Sequence, residues 1–95
     1  GITLPKVYCI AIGDEAQMSM LPILSKLRRS GIYADYNPDK TSFKAQMKAA
    51  DSSRAEFAII LGEDELKQGD FILKNLMTSE QERLSAEDLL QRLTQ

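Results

Sequence analysis

Phe57-Ala58-Ile59-Ile60-Leu61-Gly62-Glu63-Asp64-Glu65 decides how this chain is read. Its first five residues are an unbroken apolar run, short for a helix and too apolar for an edge strand. They predict a strand buried on both faces at the centre of a sheet. Gly62 ends the run and three acids follow at once. A second strand-like run, Phe71-Ile72-Leu73, begins after a short link closed by Gly69. In an open α/β sheet, ligands bind in the crevice beyond the carboxyl ends of the parallel strands. Glu63, Asp64 and Glu65 are therefore expected at a functional rim.

Upstream, Val7–Ile12 is a further apolar run, ended by Gly13 and followed by Asp14 as a helix N-cap with Glu15 in the first turn. One glycine flanked by two acids would repel phosphate, so this is a turn and cap rather than a phosphate loop. Cys9, inside the run, reads as a small buried apolar residue. Ala16, Met20, Ile23, Leu24 and Leu27 recur at helical spacing. Pro22 interrupts them, which predicts a kinked or loosened first turn. Gly31 stops the helix after Arg28-Arg29. Ile32–Tyr36 reads as an edge strand with one wet face and Asn37–Lys40 as a turn. Thr41 or Ser42 then caps a helix whose buried stripe is Phe43, Met47 and Ala50, with Lys44 and Lys48 together on one side.

Downstream of the central strand, the link Leu66–Gly69 is too short for a parallel crossover, so Phe71–Leu73 returns antiparallel. Met77–Gln81 is a turn and Glu82–Leu84 a short strand completing a hairpin. Ser85-Ala86-Glu87-Asp88 caps a last helix with Leu89, Leu90 and Leu93 on its apolar face. The order is β-α-β-α-β, then a hairpin, then a helix, and right-handed crossovers make the first three strands parallel. This is an α/β fold with a mixed sheet. Ninety-five residues give one domain, 1–95, with residues 1–6 as a lead-in.

Composition excludes several function classes. With 43% hydrophobic and 27% charged residues the chain is an ordinary globular one, and no apolar run is long enough for a membrane span, so cytoplasmic residence is expected. The absence of histidine removes histidine-based acid–base chemistry, and a lone Cys9 can form no internal disulfide; no catalytic residue, cofactor or metal is expected. The net charge of −2 argues against generic nucleic-acid coating, but it is unevenly distributed. Residues 20–50 hold six Lys or Arg against two acids, a balance of +4, and residues 51–95 hold five against ten, a balance of −5. One side facing a polyanion and a set of solvated helix faces are both compatible with this pattern.

Particular residues join that order: Leu27-Arg28 before Gly31, Ser42-Phe43-Lys44, Lys48-Ala49-Ala50-Asp51, the Gly62-Glu63-Asp64-Glu65 turn, and Gly69 with Lys74. Together they resemble the anticodon-binding domain of class II aminoacyl-tRNA synthetases, nearest to the C-terminal domain of the histidyl enzymes, over about residues 5–93. The resemblance implies a three-layer fold with a mixed five-stranded sheet and three main helices. It implies that the domain grips the anticodon loop of a transfer RNA, while a separate catalytic domain, absent from this chain, uses ATP in a parent enzyme that is a homodimer. It also implies RNA contacts at Glu65 and Lys74, and more loosely at Lys40 in the loop Asn37–Ser42. Relatives with Arg in place of Lys74 gain a bidentate fork that Lys lacks.

The chemistry stands beside the resemblance. Unstacked anticodon bases offer their edges, so a carboxylate can accept from amino groups while a cation meets carbonyl oxygen or phosphate. The antiparallel return after Gly69 is expected to bring Lys74 back towards Glu65. Tyr33 and Tyr36 could stack on bases, though strand tyrosines more often pack. A protein-interaction or dimer-stabilising domain without RNA binding is the competing function. A nucleotide or metal site has less support, since no Gly-rich loop accompanies the acids.

Overall fold

Phe57–Leu61 forms the middle strand of a mixed five-stranded sheet in the computed structural model, which describes residues 3–95. The elements in chain order are β1 (Val7–Ala11), α1 (Asp14–Arg29), β2 (Ala34–Asp35), α2 (Phe43–Ser53), β3 (Phe57–Leu61), α3 (Glu63–Gln68), β4 (Phe71–Asn75), β5 (Gln81–Leu84) and α4 (Ala86–Thr94). The spatial order is β2-β1-β3-β4-β5. β1 runs parallel to β2 and β3, while β4 is antiparallel to both β3 and β5. The expected mixed sheet and its parallel trio are therefore present. Of the lead-in, residues 1 and 2 lie outside the described residues. Lys6 is already tied into the sheet, its N–H donating to Tyr33 and its carbonyl accepting from Phe57.

Alternation along the strands divides the apolar residues between two cores. On one face Val7, Cys9, Ala11, Ile59, Leu61, Phe71 and Leu73 pack against Met20, Leu24 and Leu27 of α1 and Leu89 and Leu93 of α4. On the other, Tyr8, Ile10, Ala58 and Ile60 pack against Ala50 of α2. The result is three layers, with two helices over one face and one over the other. α2 lies on the β1 side of its face.

Several local expectations are corrected. Helix α1 runs from Asp14 to Arg29 with Pro22 inside it, and its first turn is helical rather than loosened. Pro22 sits on the exposed side of α1, where the loss of one helical hydrogen bond costs least. The N-cap is Gly13, not Asp14; its φ of 95° lies in the left-handed region that favours glycine. β2 shrinks to Ala34–Asp35. In α2 the buried stripe is Gln46 and Ala50; Phe43 is exposed and Met47 only half-buried. The link after β3 is a short helix, α3, closed by Gly69 with a φ of 72°.

Candidate nucleic-acid interface

A cleft of about 870 Å³ opens between α2 and the short β2 edge, lined by Tyr8, Asp35, Tyr36, Asn37, Lys40 and Lys48 among others. Its shape follows from local chemistry. Asn37 Oδ1 accepts from Asp39 N–H at 3.0 Å and Ser42 Oγ accepts from Ala45 N–H at 3.1 Å, so the loop between β2 and α2 is folded by its own side chains. Lys40 projects from that loop, and Lys48 follows Lys44 by one helical turn on exposed positions of α2. Burial, and then the charge of Asp35, pushes the Tyr8 phenol up from its ordinary value; burial chiefly does the same to Tyr36. Both phenols are neutral donors on the cleft wall. Tyr36 is half-buried against the core, whereas Tyr33 is exposed.

Beyond α2 the same face of the sheet continues over β4 and β5. The register pairs Ala58 with Lys74 and Lys74 with Gln81, and Ile60 with Ile72 and Ile72 with Arg83. Directly opposed residues share a face, so Ile72, Lys74, Gln81 and Arg83 lie on the side of α2. On this part of the face Ile72 is half-buried against the α2-side core, while Gln81 and Arg83 are exposed.

Glu65 stands at the rim where β3 ends, and it is buried, 7% exposed. From the first turn of α3 its Oε1 accepts from Gly62 N–H at 2.9 Å, closing the helix start, and its Oε2 accepts from Arg83 Nη2 at 3.1 Å. A Cβ on Gly62 would come within 3.2 Å of that Oε1, so the close approach favours glycine there. Arg83 Nη1 donates to Asp70 Oδ1 at 3.0 Å and to Gln68 Oε1 at 3.1 Å. Glu63 and Asp64 are exposed rim charges, with Glu63 3.3 Å from Lys67.

The structure does not bring Glu65 and Lys74 together. An antiparallel strand that begins at the rim leaves it, and Lys74 stands opposite Ala58 near the start of β3. Lys40 lies at a third place, in the cleft on the β2 side of α2. The three share one side of the molecule rather than one point. Arg83 was not singled out by the sequence reading; strict alternation in Gln81–Leu84, with Leu84 towards the core, is the signal that places it on this face.

The family model for the anticodon binding domain matches residues 6–95. The histidine–tRNA ligase of Listeria monocytogenes serotype 4b (strain F2365) is 42% identical over 88 residues, covering 93% of this chain and 21% of the ligase. That of Acetivibrio thermocellus is 39% identical over 89 residues, covering 94% and 21%. Apo histidyl-tRNA synthetase of S. aureus superposes with a TM-score of 0.89 at 30% identity, over 97% of this chain and 24% of that one. The RNA binding domain of threonyl-tRNA synthetase from Cryptosporidium parvum Iowa II gives 0.83 at 14% identity over 95% of this chain and 23% of that one, a likeness of fold alone. The chain spans about a fifth of the length of the curated relatives it matches. A match along nearly all of its length, with a sheet that superposes on a histidyl enzyme, leaves one assignment: the chain belongs to the anticodon-binding domain family, in the form that histidine–tRNA ligases carry.

Proposed function

We propose that the chain binds the anticodon loop of a transfer RNA, that of histidine, across the α2 side of its sheet. The observation that carries this reading is a set of cations on that side, Lys40, Lys44, Lys48 and Lys74, none of them in an ion pair among the described residues of an acidic chain. Lys40 and Lys48 meet phosphate at the cleft and Lys74 meets it on the open sheet face, while Glu65 belongs to the rim where bases are read. The domain works as part of a longer, homodimeric, cytoplasmic ligase. ATP is used by the catalytic part of that parent, and no cofactor is needed here. A protein-interaction role without RNA has only the net acidity in its favour.

The test is a binding titration with a histidine anticodon stem-loop at several salt concentrations. Wild type is expected to bind with a steep salt dependence, and Lys40→Ala, Lys48→Ala and Lys74→Ala each to lower the slope by about 0.7, the single-strand value for one phosphate. Absence of salt-dependent binding by the folded wild-type chain would remove this function and favour the interaction reading.

A further inference from the structure

Arg83 is held by three side chains, those of Glu65, Gln68 and Asp70. Both Nη1 hydrogens are used, by Asp70 and Gln68, and one Nη2 hydrogen is used by Glu65. The Nε–H and the remaining Nη2–H have no acceptor among the described residues, and the side chain is 42% exposed on the open face of β4 and β5. Such bracing leaves little rotamer freedom to be lost when a ligand arrives. Charge then selects the ligand. Arg83 with Glu65 and Asp70 forms a group of net charge −1, and exposed Glu63 and Asp64 stand at the same rim. A phosphate is repelled there, whereas an uncharged base edge is not. Two acceptors side by side on one base edge are the match for guanidinium donors, and guanine O6 and N7 supply them.

We propose that Arg83 is a specificity-determining residue that reads the O6/N7 edge of an unstacked guanine, and that Glu65 is a positioning residue acting through it. This rests on the RNA-binding reading above and adds a base-reading role to a residue outside the lysine set. In this arrangement Glu65 does not itself touch the base: its two oxygens serve Gly62 and Arg83. The lysines supply affinity that depends on salt, and Arg83 supplies discrimination that does not.

The experiment titrates wild type, Arg83→Lys, Glu65→Gln and the double variant against three anticodon stem-loops: the native one, one with its guanines replaced by 7-deazaguanine, and one with its guanines replaced by adenine. Urea unfolding of each variant confirms that it is folded. Arg83→Lys keeps the charge and loses the fork, so affinity for the native loop falls about tenfold with the salt slope unchanged, while affinity for the adenine loop stays as in wild type. The 7-deaza loop shows the same loss with wild-type protein. Glu65→Gln loses discrimination as well, and the double variant loses no more than Arg83→Lys alone. Native-loop affinity unchanged by Arg83→Lys, or an equal loss on every loop with a lower salt slope, overturns the assignment. If Lys40→Ala still weakens binding in that case, the RNA-binding reading survives; if folded wild type binds no loop, both fall together.

Discussion

Gln46 pairs with Ala11 as a neighbouring strand would: Ala11 N–H donates to Gln46 Oε1 at 3.0 Å, and Gln46 Nε2 donates to the Ala11 carbonyl at 2.9 Å. β2 is paired only with Val7 and Tyr8, so the far end of β1 has no strand on that side, and one buried amide takes its place. The same Nε2 also donates to Thr41 carbonyl at 3.1 Å, which ties the Lys40 loop to the sheet.

Replacing Gln46 with leucine keeps approximate volume and orphans the buried Ala11 N–H and carbonyl. Each unsatisfied group costs on the order of 1–3 kcal/mol, so Gln46→Leu is expected to lower the urea midpoint severely. A variant as stable as wild type would show that the amide is dispensable.

Ile59 is fully buried at the centre of the sheet, on the α1 and α4 side. Truncation by Ile59→Ala is expected to cost about 2–5 kcal/mol, and Ile59→Asn more, because the polar group finds no partner there. Equilibrium unfolding of both variants orders them, and an asparagine variant no worse than the alanine one contradicts the account.

Gly69 ends α3 at a φ of 72° with nothing within 4 Å of the site of an added Cβ. Gly69→Ala therefore introduces backbone strain without a clash, about 1–2 kcal/mol. Thermal unfolding reads it directly, and an unchanged melting temperature would refute the strain argument.

Burial pushes the Cys9 thiol up from 9.0 to about 12, with Arg28 opposing and Asp35 adding to the shift. Between those values the unfolded chain has released a proton that the native state keeps, so unfolding becomes easier as pH rises. The contribution is present in full below pH 9 and is lost towards pH 12, with a slope of up to about 1.4 kcal/mol per pH unit. Tyr8, shifted in the same direction, adds to the alkaline loss. Urea midpoints of wild type and Cys9→Ala at pH 7 and pH 10.5 should converge, and parallel pH dependences would exclude the thiol.

Strands buried on both faces write themselves as apolar runs, which is why β1 and β3 were legible from sequence, while β4, covered on one face only, showed itself by its Phe71-Ile72-Leu73 run and the short link before it. α2 was misread because its stripe depends on what it meets. Phe43 starts the helix facing water, and polar Gln46 is buried only because β2 stops after two residues, a fact that no local pattern contains. Pro22 interrupted the periodic reading of α1, yet the helix runs across it from Asp14 to Arg29 with the proline on an exposed position. In the candidate interface, Lys40 came only from the family resemblance of its loop, and Lys48 was noted only as sharing one side of a helix with Lys44. Glu65 and Lys74 were brought too close, since α3 occupies the rim and β4 then carries Lys74 away from it. The bracing of Arg83 links residues 65, 68, 70 and 83, which only the hairpin brings together.

The mixed sheet also divides the molecule in time. β4 and β5 meet across the tight turn at residues 76–80, whereas β1 meets β3 at Val7 and Phe57, with α1, β2 and α2 between them. Closing a long loop costs more chain entropy than closing a short one, and proteins dominated by distant pairings fold slowly. During refolding the hairpin that carries Lys74 and Arg83 is therefore expected to assemble early. The cleft around Lys40, which requires β2 and α2 seated on β1, comes last.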